Sequence, residues 1–211
     1  MKTGKFISIE GQDGAGKTTN IEFICSELAD KNIEHITTRE PGGTALGESI
    51  RDILLVRSEL NITPMSELLL MFAARAQHLA SIIEPALSQG IWVVCDRFTD
   101  ASFAYQGGGH GIESSIIQDI ADMIQQGRQP DLTFLLDVDT ITGESRVNSR
   151  NEKKDRFEMK KIDFKQRVRE AYLQLERDQP ERIKLINASQ SIDSVKQQIT
   201  NELTAFIRLP G

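Results

Sequence analysis

The sequence predicts an α/β fold: a central parallel sheet of about five strands, with helices on both faces and a short lid. Three observations predict it. Segments of strand and helix character alternate along the whole 211-residue chain, the order from which parallel sheets are wound. Ile91-Trp-Val-Val-Cys95 and Leu132-Thr-Phe-Leu-Leu136 are near-continuous apolar runs, as strands covered on both faces should be. A glycine-rich loop joins the first strand directly to the first helix. This length fits one domain over residues 1–211, with a lid at about 143–157.

The elements follow in order. The first strand is expected near Lys5–Glu10, with Phe6-Ile-Ser-Ile9 as its buried part. A helix over Lys17–Asp30 carries Ile21, Phe23, Ile24, Cys25 and Leu28 at helical spacing. The second strand lies near His35–Arg39 and ends in a turn through Pro41, Gly42 and Gly43. Helices near Leu46–Val56 and Pro64–Gln89 come next. The longer of the two, with Leu68, Leu69, Met71, Phe72, Leu79, Ile82 and Ile83, has more apolar surface than one face requires. Strands near Ile91–Asp96, Leu132–Val138 and Arg182–Asn187 alternate with helices near Ile112–Gln126, Thr140–Asn148, Phe164–Arg177 and Ile192–Ile207. No internal repeat or low-complexity stretch interrupts them.

The first loop carries chemistry. Gly11, four free positions, then Gly16, Lys17 and Thr18 form the phosphate-binding P-loop pattern, in the strand–loop–helix setting that the motif demands. At average residue usage the bare pattern arises in on the order of 1% of chains this long, and the flanking elements lower that further. Glycines 11, 14 and 16 let the backbone curl with its N–H groups inward around a polyphosphate. The helix N-terminus behind them favours an anion. Lys17 would reach the β- and γ-phosphates, and the Thr18 hydroxyl would hold Mg²⁺.

In a parallel sheet, ligands gather at the C-terminal ends of the strands. Three further segments lie there. Thr38-Arg-Glu-Pro-Gly-Gly-Thr44 follows the second strand; a simple turn would explain Pro41 to Gly43, but not Arg39 and Glu40 at the strand end or Arg51, expected on the first coil of the next helix. Asp96-Arg97-Phe98 follows the third strand. Asp96 would order Mg²⁺ or its waters, against the alternative of a helix N-cap, and Arg97 would be a bidentate phosphate clamp. The run from Ser145 to Arg156 has five basic residues in twelve. It is either a solvated helix end or a lid that lays Arg146, Arg150 or Arg156 over a transferring phosphate. P-loop residues 12 to 15 supply no arginine for that purpose.

Composition excludes other classes. A net charge of −6 argues against nucleic acid as the main partner. No apolar run approaches the ~20 residues that span a bilayer, and the chain goes straight into its first strand, leaving no room for a signal peptide. The two cysteines, Cys25 and Cys95, have no metal spacing and are expected to be reduced core residues of a cytoplasmic protein.

Over essentially its full length the sequence resembles the bacterial thymidylate kinases. The resemblance is carried by Glu10-Gly-Gln-Asp-Gly-Ala-Gly-Lys-Thr-Thr19, Thr38-Arg-Glu-Pro-Gly-Gly-Thr44, Phe72-Ala-Ala-Arg-Ala-Gln77, Asp96-Arg-Phe98 with Ala104-Tyr-Gln-Gly-Gly-Gly109, and Pro130-Asp-Leu-Thr133 before Leu136-Asp-Val138. The first segment is shared by many families; the second and fourth, in this order, are specific. The resemblance implies a P-loop NTPase fold and Mg²⁺-dependent transfer of the ATP γ-phosphoryl group to dTMP. It implies an ATP loop of Gly11, Gln12, Asp13, Gly14, Ala15, Gly16, Lys17, Thr18 and Thr19, with Arg146 from the lid. Asp13 would approach the 3′-hydroxyl of the deoxyribose. Arg51 and Arg97, with Arg39 and Glu40 nearby, would hold the dTMP phosphate. Arg75 and Gln106 would read the thymine edge, with Ser102 close to them, and Tyr105 would crowd the sugar's 2′ position. Lys17, Arg97 and the lid arginines Arg150 and Arg156 would meet charge on the transferring group. A homodimer through the Pro64–Gln89 region is also implied.

Three positions depart from the family pattern. Met71 stands where phenylalanine often stacks on the base, and its neighbour is Phe72, so either could cover thymine. Ala101 replaces a common serine, and His110 follows the three glycines where arginine is usual. Rival readings fare less well. A guanine-specific switch would carry an Asn-Lys-x-Asp motif, which does not occur. Another nucleoside monophosphate kinase would not want Arg75, Tyr105 and Gln106 together, and an inactive scaffold would not keep Lys17, Thr18 and Asp96.

Overall fold

The structure, a computed structural model, describes residues 3–56, 59–149 and 155–208. Five parallel strands form one sheet: β1 Phe6–Gly11, β2 His35–Arg39, β3 Trp92–Asp96, β4 Leu132–Asp137 and β5 Ile183–Asn187, in the spatial order β2-β3-β1-β4-β5. β1 lies at the centre, with Ile7 beside Val94 on one side and beside Leu132 on the other. The sheet is the one expected, and each strand bound agrees within a residue.

The alternation of β1 separates the two layers. Ile7 and Ile9 pack with helix α1 (Lys17–Asp30) and helix α9 (Ile192–Arg208) through Ile24, Leu28, Val195, Ile199 and Leu203. Phe6, Ser8 and Glu10 turn to the opposite face. There Phe6 joins Leu79, Ile83, Leu87 and Phe98. Leu135 and Ile183 on the same face pack against helix α8 (Ile162–Asp178) through Phe164, Val168 and Tyr172. Complete burial of such side chains contributes roughly 1.5–3 kcal/mol each. Ser8 and Thr133 share a hydrogen bond at 2.7 Å across β1 and β4, so these buried hydroxyls are satisfied. Cys95 is buried and Cys25 half-buried; both are free thiols.

Helix geometry departs from the sequence expectation in three places. The segment expected as one helix to Val56 is α2 (Ala45–Arg51), continuing as a wider π-helical turn over Asp52–Val56. This puts Arg51 in the last turn of α2 and not its first. The expected Pro64–Gln89 helix is α3 (Pro64–His78), a π-helical turn over Leu79–Ile83, and α4 (Glu84–Ser88). Pro85 lacks an N–H and its ring displaces a carbonyl one turn back, so the chain widens just before it. The third departure is a helical segment where no element was expected: α5 (Thr99–Ser102) runs on through a π-helical stretch Phe103–Gly109. Its glycines sit against α8, where an added Cβ would lie 2.5 Å from Ala171 Cβ at Gly108 and 2.5 Å from Phe164 Cζ at Gly109. Helices α6 (Ser114–Gln125) and α7 (Thr140–Ser149) complete the set among the described residues.

Candidate active site

The loops after β1, β2 and β3 meet in one cleft at the C-terminal edge of the sheet. Its walls include Asp13, Gly14, Gly16, Lys17 and Thr18 at one end and Met71, Arg75, Ser102 and Gln106 at the other. Arg51, Asp96, Arg97 and Tyr105 line the middle.

At the phosphate end, Gly14 and Gly16 adopt left-handed backbone with φ of 81° and 88°, which turns the loop's N–H groups inward. Gly14 also touches α7: a Cβ there would lie 2.2 Å from the Gly143 carbonyl oxygen. Lys17 Nζ donates to the carbonyls of Gly11 at 3.2 Å and Gln12 at 3.0 Å and lies 3.8 Å from Asp13 Oδ1. Burial, then the neighbouring Arg97 charge, lower the Lys17 ammonium from its ordinary pKa, against the opposite pull of Asp13. Burial would raise Asp13, but Arg97 and Lys17 outweigh it and hold that carboxyl below its usual range. Ala15 is buried under the loop, Thr19 is exposed on α1, and the buried Gln12 amide nitrogen makes no hydrogen bond among the described residues.

Arg97 sits at the end of β3 with left-handed backbone, φ 69°, a conformation that non-glycine residues keep where surroundings enforce it. Its guanidinium donates to Asp13 Oδ1 at 2.8 Å, Tyr105 Oη at 3.0 Å and Tyr172 Oη at 3.1 Å. Tyr172 in turn donates to Glu10 Oε2 at 2.7 Å, and Glu10 Oε1 accepts from the Phe98 amide at 2.6 Å. Beside Arg97, Asp96 Oδ1 is buried and has no hydrogen-bond partner among the described residues. Asp96 lines the same cleft as Thr18. An orphaned carboxylate oxygen and a hydroxyl lining one cleft fit a hydrated Mg²⁺. No cluster of three acidic, histidine or cysteine ligands exists among the described residues.

The arginines expected around the dTMP phosphate divide. Arg51 lines the cleft and donates to the Pro41 carbonyl at 2.9 Å. Arg39 is turned out of it, half-exposed and paired with Glu48 at 2.9 Å. Glu40 does line the cleft, but its carboxylate is already engaged. Glu40 Oε2 accepts from Arg75 Nε at 2.7 Å, and Oε1 lies 2.9 Å from His78 Nδ1. Arg75 also donates to Ser102 Oγ and the Phe98 carbonyl, both at 3.2 Å. The acceptor that a buried mid-helix arginine demands is therefore supplied within the protein. Its remaining N–H groups are those open to a ligand.

Met71 lines the cleft. Phe72 does not: it is buried among Leu68, Ile117 and Ala121, with the Arg75 guanidinium 4.6 Å from its ring centre. Ala101 lies in the cleft wall, with Phe98 and Tyr105 beside it.

The expected lid arginines do not converge. Arg146 donates to the Gly14 carbonyl at 3.3 Å and the Ala188 carbonyl at 3.1 Å, bridging the phosphate loop to the segment after β5. Arg150 lies outside the described residues. Arg156 points away from the phosphate end: it donates to the Leu54 carbonyl at 2.7 Å and to Glu67 Oε2. Asp155, Phe157 and Glu158 around it line the cleft. Charge sets this placement, because Glu67 is a fully buried carboxylate and Arg156 is one of its cationic partners.

Several residues of the site went unread in the sequence: Glu10, Glu67, His78 and Tyr172. A signal existed for two of them. Glu67, Met71, Arg75 and His78 are spaced four, four and three apart, one face of a helix, and the three polar ones, Glu67, Arg75 and His78, are buried in α3. Glu10 and Tyr172 lie 162 positions apart, beyond any local pattern.

Comparison with known proteins agrees with this geometry. The family model described as thymidylate kinase matches residues 9–199. The chain is 48% identical over 205 residues to the thymidylate kinase of Chromohalobacter salexigens, covering 97% of each. It is 51% identical over 206 residues to that of Vesicomyosocius okutanii, covering 98% of this chain and 100% of the relative. The crystal structure of thymidylate kinase from Ehrlichia chaffeensis superposes with a TM-score of 0.77 at 33% identity, over 96% of this chain and 99% of that one. With the phosphate loop, the Arg75–Glu40 pair and Gln106 in one cleft, the chain belongs to the thymidylate kinase family.

Proposed function

We propose that the protein transfers the γ-phosphoryl group of ATP to dTMP, giving dTDP and ADP, with the nucleotides meeting end to end in the cleft. The observation that carries this reading is the continuity of one cleft from Lys17 to the Arg75–Gln106 end. The loop amides from Gln12 to Thr19 and Lys17 bind the ATP phosphates, and Arg146, bridging Gly14 and Ala188, supports the adenosine side. Arg51 and Arg97 bind the dTMP phosphate. Asp13, held by Arg97, lies where the deoxyribose 3′-hydroxyl would fall, and Tyr105 fills the space a 2′-hydroxyl would need. Arg75, Gln106 and Ser102 face the base, with Met71 over it. Mg²⁺ would be held by Thr18 and Asp96 and would screen the phosphate oxygens. Little covalent work remains for the chain: it aligns acceptor and donor and keeps cations around the charge of the transferring group. Arg150 is proposed to meet that group from a lid at about 143–157 within a single domain; Arg156, held by Leu54 and Glu67, joins it only if that segment rearranges.

The enzyme is proposed to act in the cytoplasm, with neither a nucleic acid nor a membrane partner, and no described helix is long and apolar enough to cross a membrane. A homodimer through α3 is supported by exposed Met65 and Leu69, although Leu68, Phe72, Leu79 and Ile83 are consumed by the protomer's own core. Light scattering tests it against the 23.6 kDa protomer.

A coupled assay of ADP release with dTMP, dCMP, dAMP and dGMP tests the activity. Turnover confined to dTMP, with the others at least tenfold poorer in kcat/KM, is expected; equal use of dCMP would overturn the reading. Lys17→Ala should lower kcat by about 10²–10³, the cost of losing one charge stabiliser in such a site, while the melting temperature stays unchanged.

A further inference from the structure

The polar knot behind the base end of the cleft bears on which base is accepted. Glu67 is fully buried on α3. Two donors converge on its carboxylate, Gln106 Nε2 at 2.8 Å and Arg156 from the far side, and His110 Nε2 lies 3.3 Å away without forming a hydrogen bond. Burial alone would raise the Glu67 carboxyl, but the adjacent His110, the Gln106 hydrogen bond and the Arg156 charge hold it below its ordinary value. Glu67 is thus a carboxylate, and a carboxylate only accepts hydrogen bonds. That constrains Gln106. A glutamine amide is nearly symmetric in shape, so packing alone does not decide which of its two ends is nitrogen. Beside Glu67 only one orientation survives: the NH₂ faces the carboxylate, and the carbonyl oxygen is the end left for the cleft that Gln106 lines. No hydrogen bond to that oxygen is made among the described residues.

We propose that Glu67 is a positioning residue that fixes the amide of Gln106 with its carbonyl oxygen toward the base, so that the site accepts a ring N3–H and rejects a bare ring N3. The inference rests on dTMP being the acceptor. Thymine carries a donor at N3 beside its O4 acceptor; cytosine carries an acceptor at N3 beside an amino donor. Arg75 offers only donors and matches O4. A locked Gln106 adds the complementary acceptor, so cytosine meets two like-signed mismatches. An unlocked Gln106 would swing its NH₂ inward, remove one mismatch and blunt the choice. Arg156 completes the donor set that keeps Glu67 ionised, with His110 beside it.

Glu67→Gln tests this, because shape is kept while the rule changes. Arg156 can only donate, so it claims the new carbonyl. The new NH₂ then faces Gln106, whose carbonyl turns to meet it and whose NH₂ turns to the cleft. The ratio of kcat/KM for dTMP over dCMP should fall on the order of tenfold, the worth of one polar match. The fall should come from a higher KM for dTMP and a lower KM for dCMP, with KM for ATP unchanged. The same substitution in a Gln106→Met background should leave the ratio where Gln106→Met alone puts it. Equal losses on both nucleotides, an unchanged ratio, or the same shift without Gln106 would overturn the proposal. Calorimetric affinities of wild type and Glu67→Gln for dTMP and dCMP, with no ATP present, separate the two readings. If wild type bound dTMP in preference to dCMP yet did not phosphorylate it, the kinase reading would fail while the Glu67 shift still counted for or against the lock.

Discussion

Arg75 illustrates how a single side chain in this cleft is both a fold element and a ligand group. Its Nε is spent on Glu40 and one N–H each on Ser102 and Phe98, with the guanidinium 2% exposed. Removing it takes away the proposed base contact and also strands a buried carboxylate with His78 as its one remaining polar partner among the described residues. Arg75→Ala should therefore raise KM for dTMP by roughly tenfold and narrow the gap between dTMP and dCMP. KM for ATP should stay within about twofold, since the loop lies at the other end. The same variant should lose about 3–5 kcal/mol of stability, the cost of breaking one side of a buried pair. Urea unfolding measures this beside the kinetics; full stability with altered kinetics would mean that Glu40 finds another donor.

The phosphate loop and helix α7 meet at one backbone contact that has no room for a side chain. Gly14 has φ 81° and faces the Gly143 carbonyl, where an added Cβ would lie at 2.2 Å. Gly14→Ala would impose left-handed backbone on a chiral residue, at about 1–2 kcal/mol, and force α7 away from the phosphate loop. Arg146, which ties α7 to Gly14 and Ala188, would move with it. KM for ATP is expected to rise several-fold while KM for dTMP changes little. The opposite pattern would show that α7 serves the acceptor half of the cleft.

The whole molecule carries a titration that no single element reveals. Burial and then the negative charge of Asp100 push Glu10 up to about 8, against the pull of Arg97 and the hydrogen bonds from Tyr172 and Phe98. The folded state therefore binds this proton more tightly than the unfolded chain, whose value is near the ordinary 4.5. Stability from this group is fully present below the unfolded value and is lost as pH rises toward about 8, then stays level. Glu10→Gln removes the titration and keeps a hydrogen-bonding shape. Its melting temperature should gain on wild type between pH 5 and about 8 and hold a constant lead above that. A tenfold change in proton affinity between folded and unfolded chains is worth ~1.4 kcal/mol, enough for the gain to be read by calorimetry. A difference in melting temperature that did not vary with pH would show Glu10 to be ionised throughout.

The sheet, most helices and the phosphate loop can be read from the chain because they follow from local rules. Near-continuous apolar runs mark the strands, 3.6-residue spacing marks the helices, and the left-handed glycines at 14 and 16 are written in the loop motif. Resemblance supplied the base-end candidates Arg75, Tyr105 and Gln106, together with Ser102. What those groups are free to do emerges only once the chain is folded. Arg75 finds Glu40 across 35 positions, Gln106 finds Glu67 across 39, and Arg156 leaves the phosphate end for Glu67 across 89. Each is a buried charge or amide choosing a partner once water is removed, and the energy of that choice depends on what the fold brings within 3 Å. The helical run through Phe103–Gly109 was decided in the same way, by glycines admitting α8 where a side chain would collide.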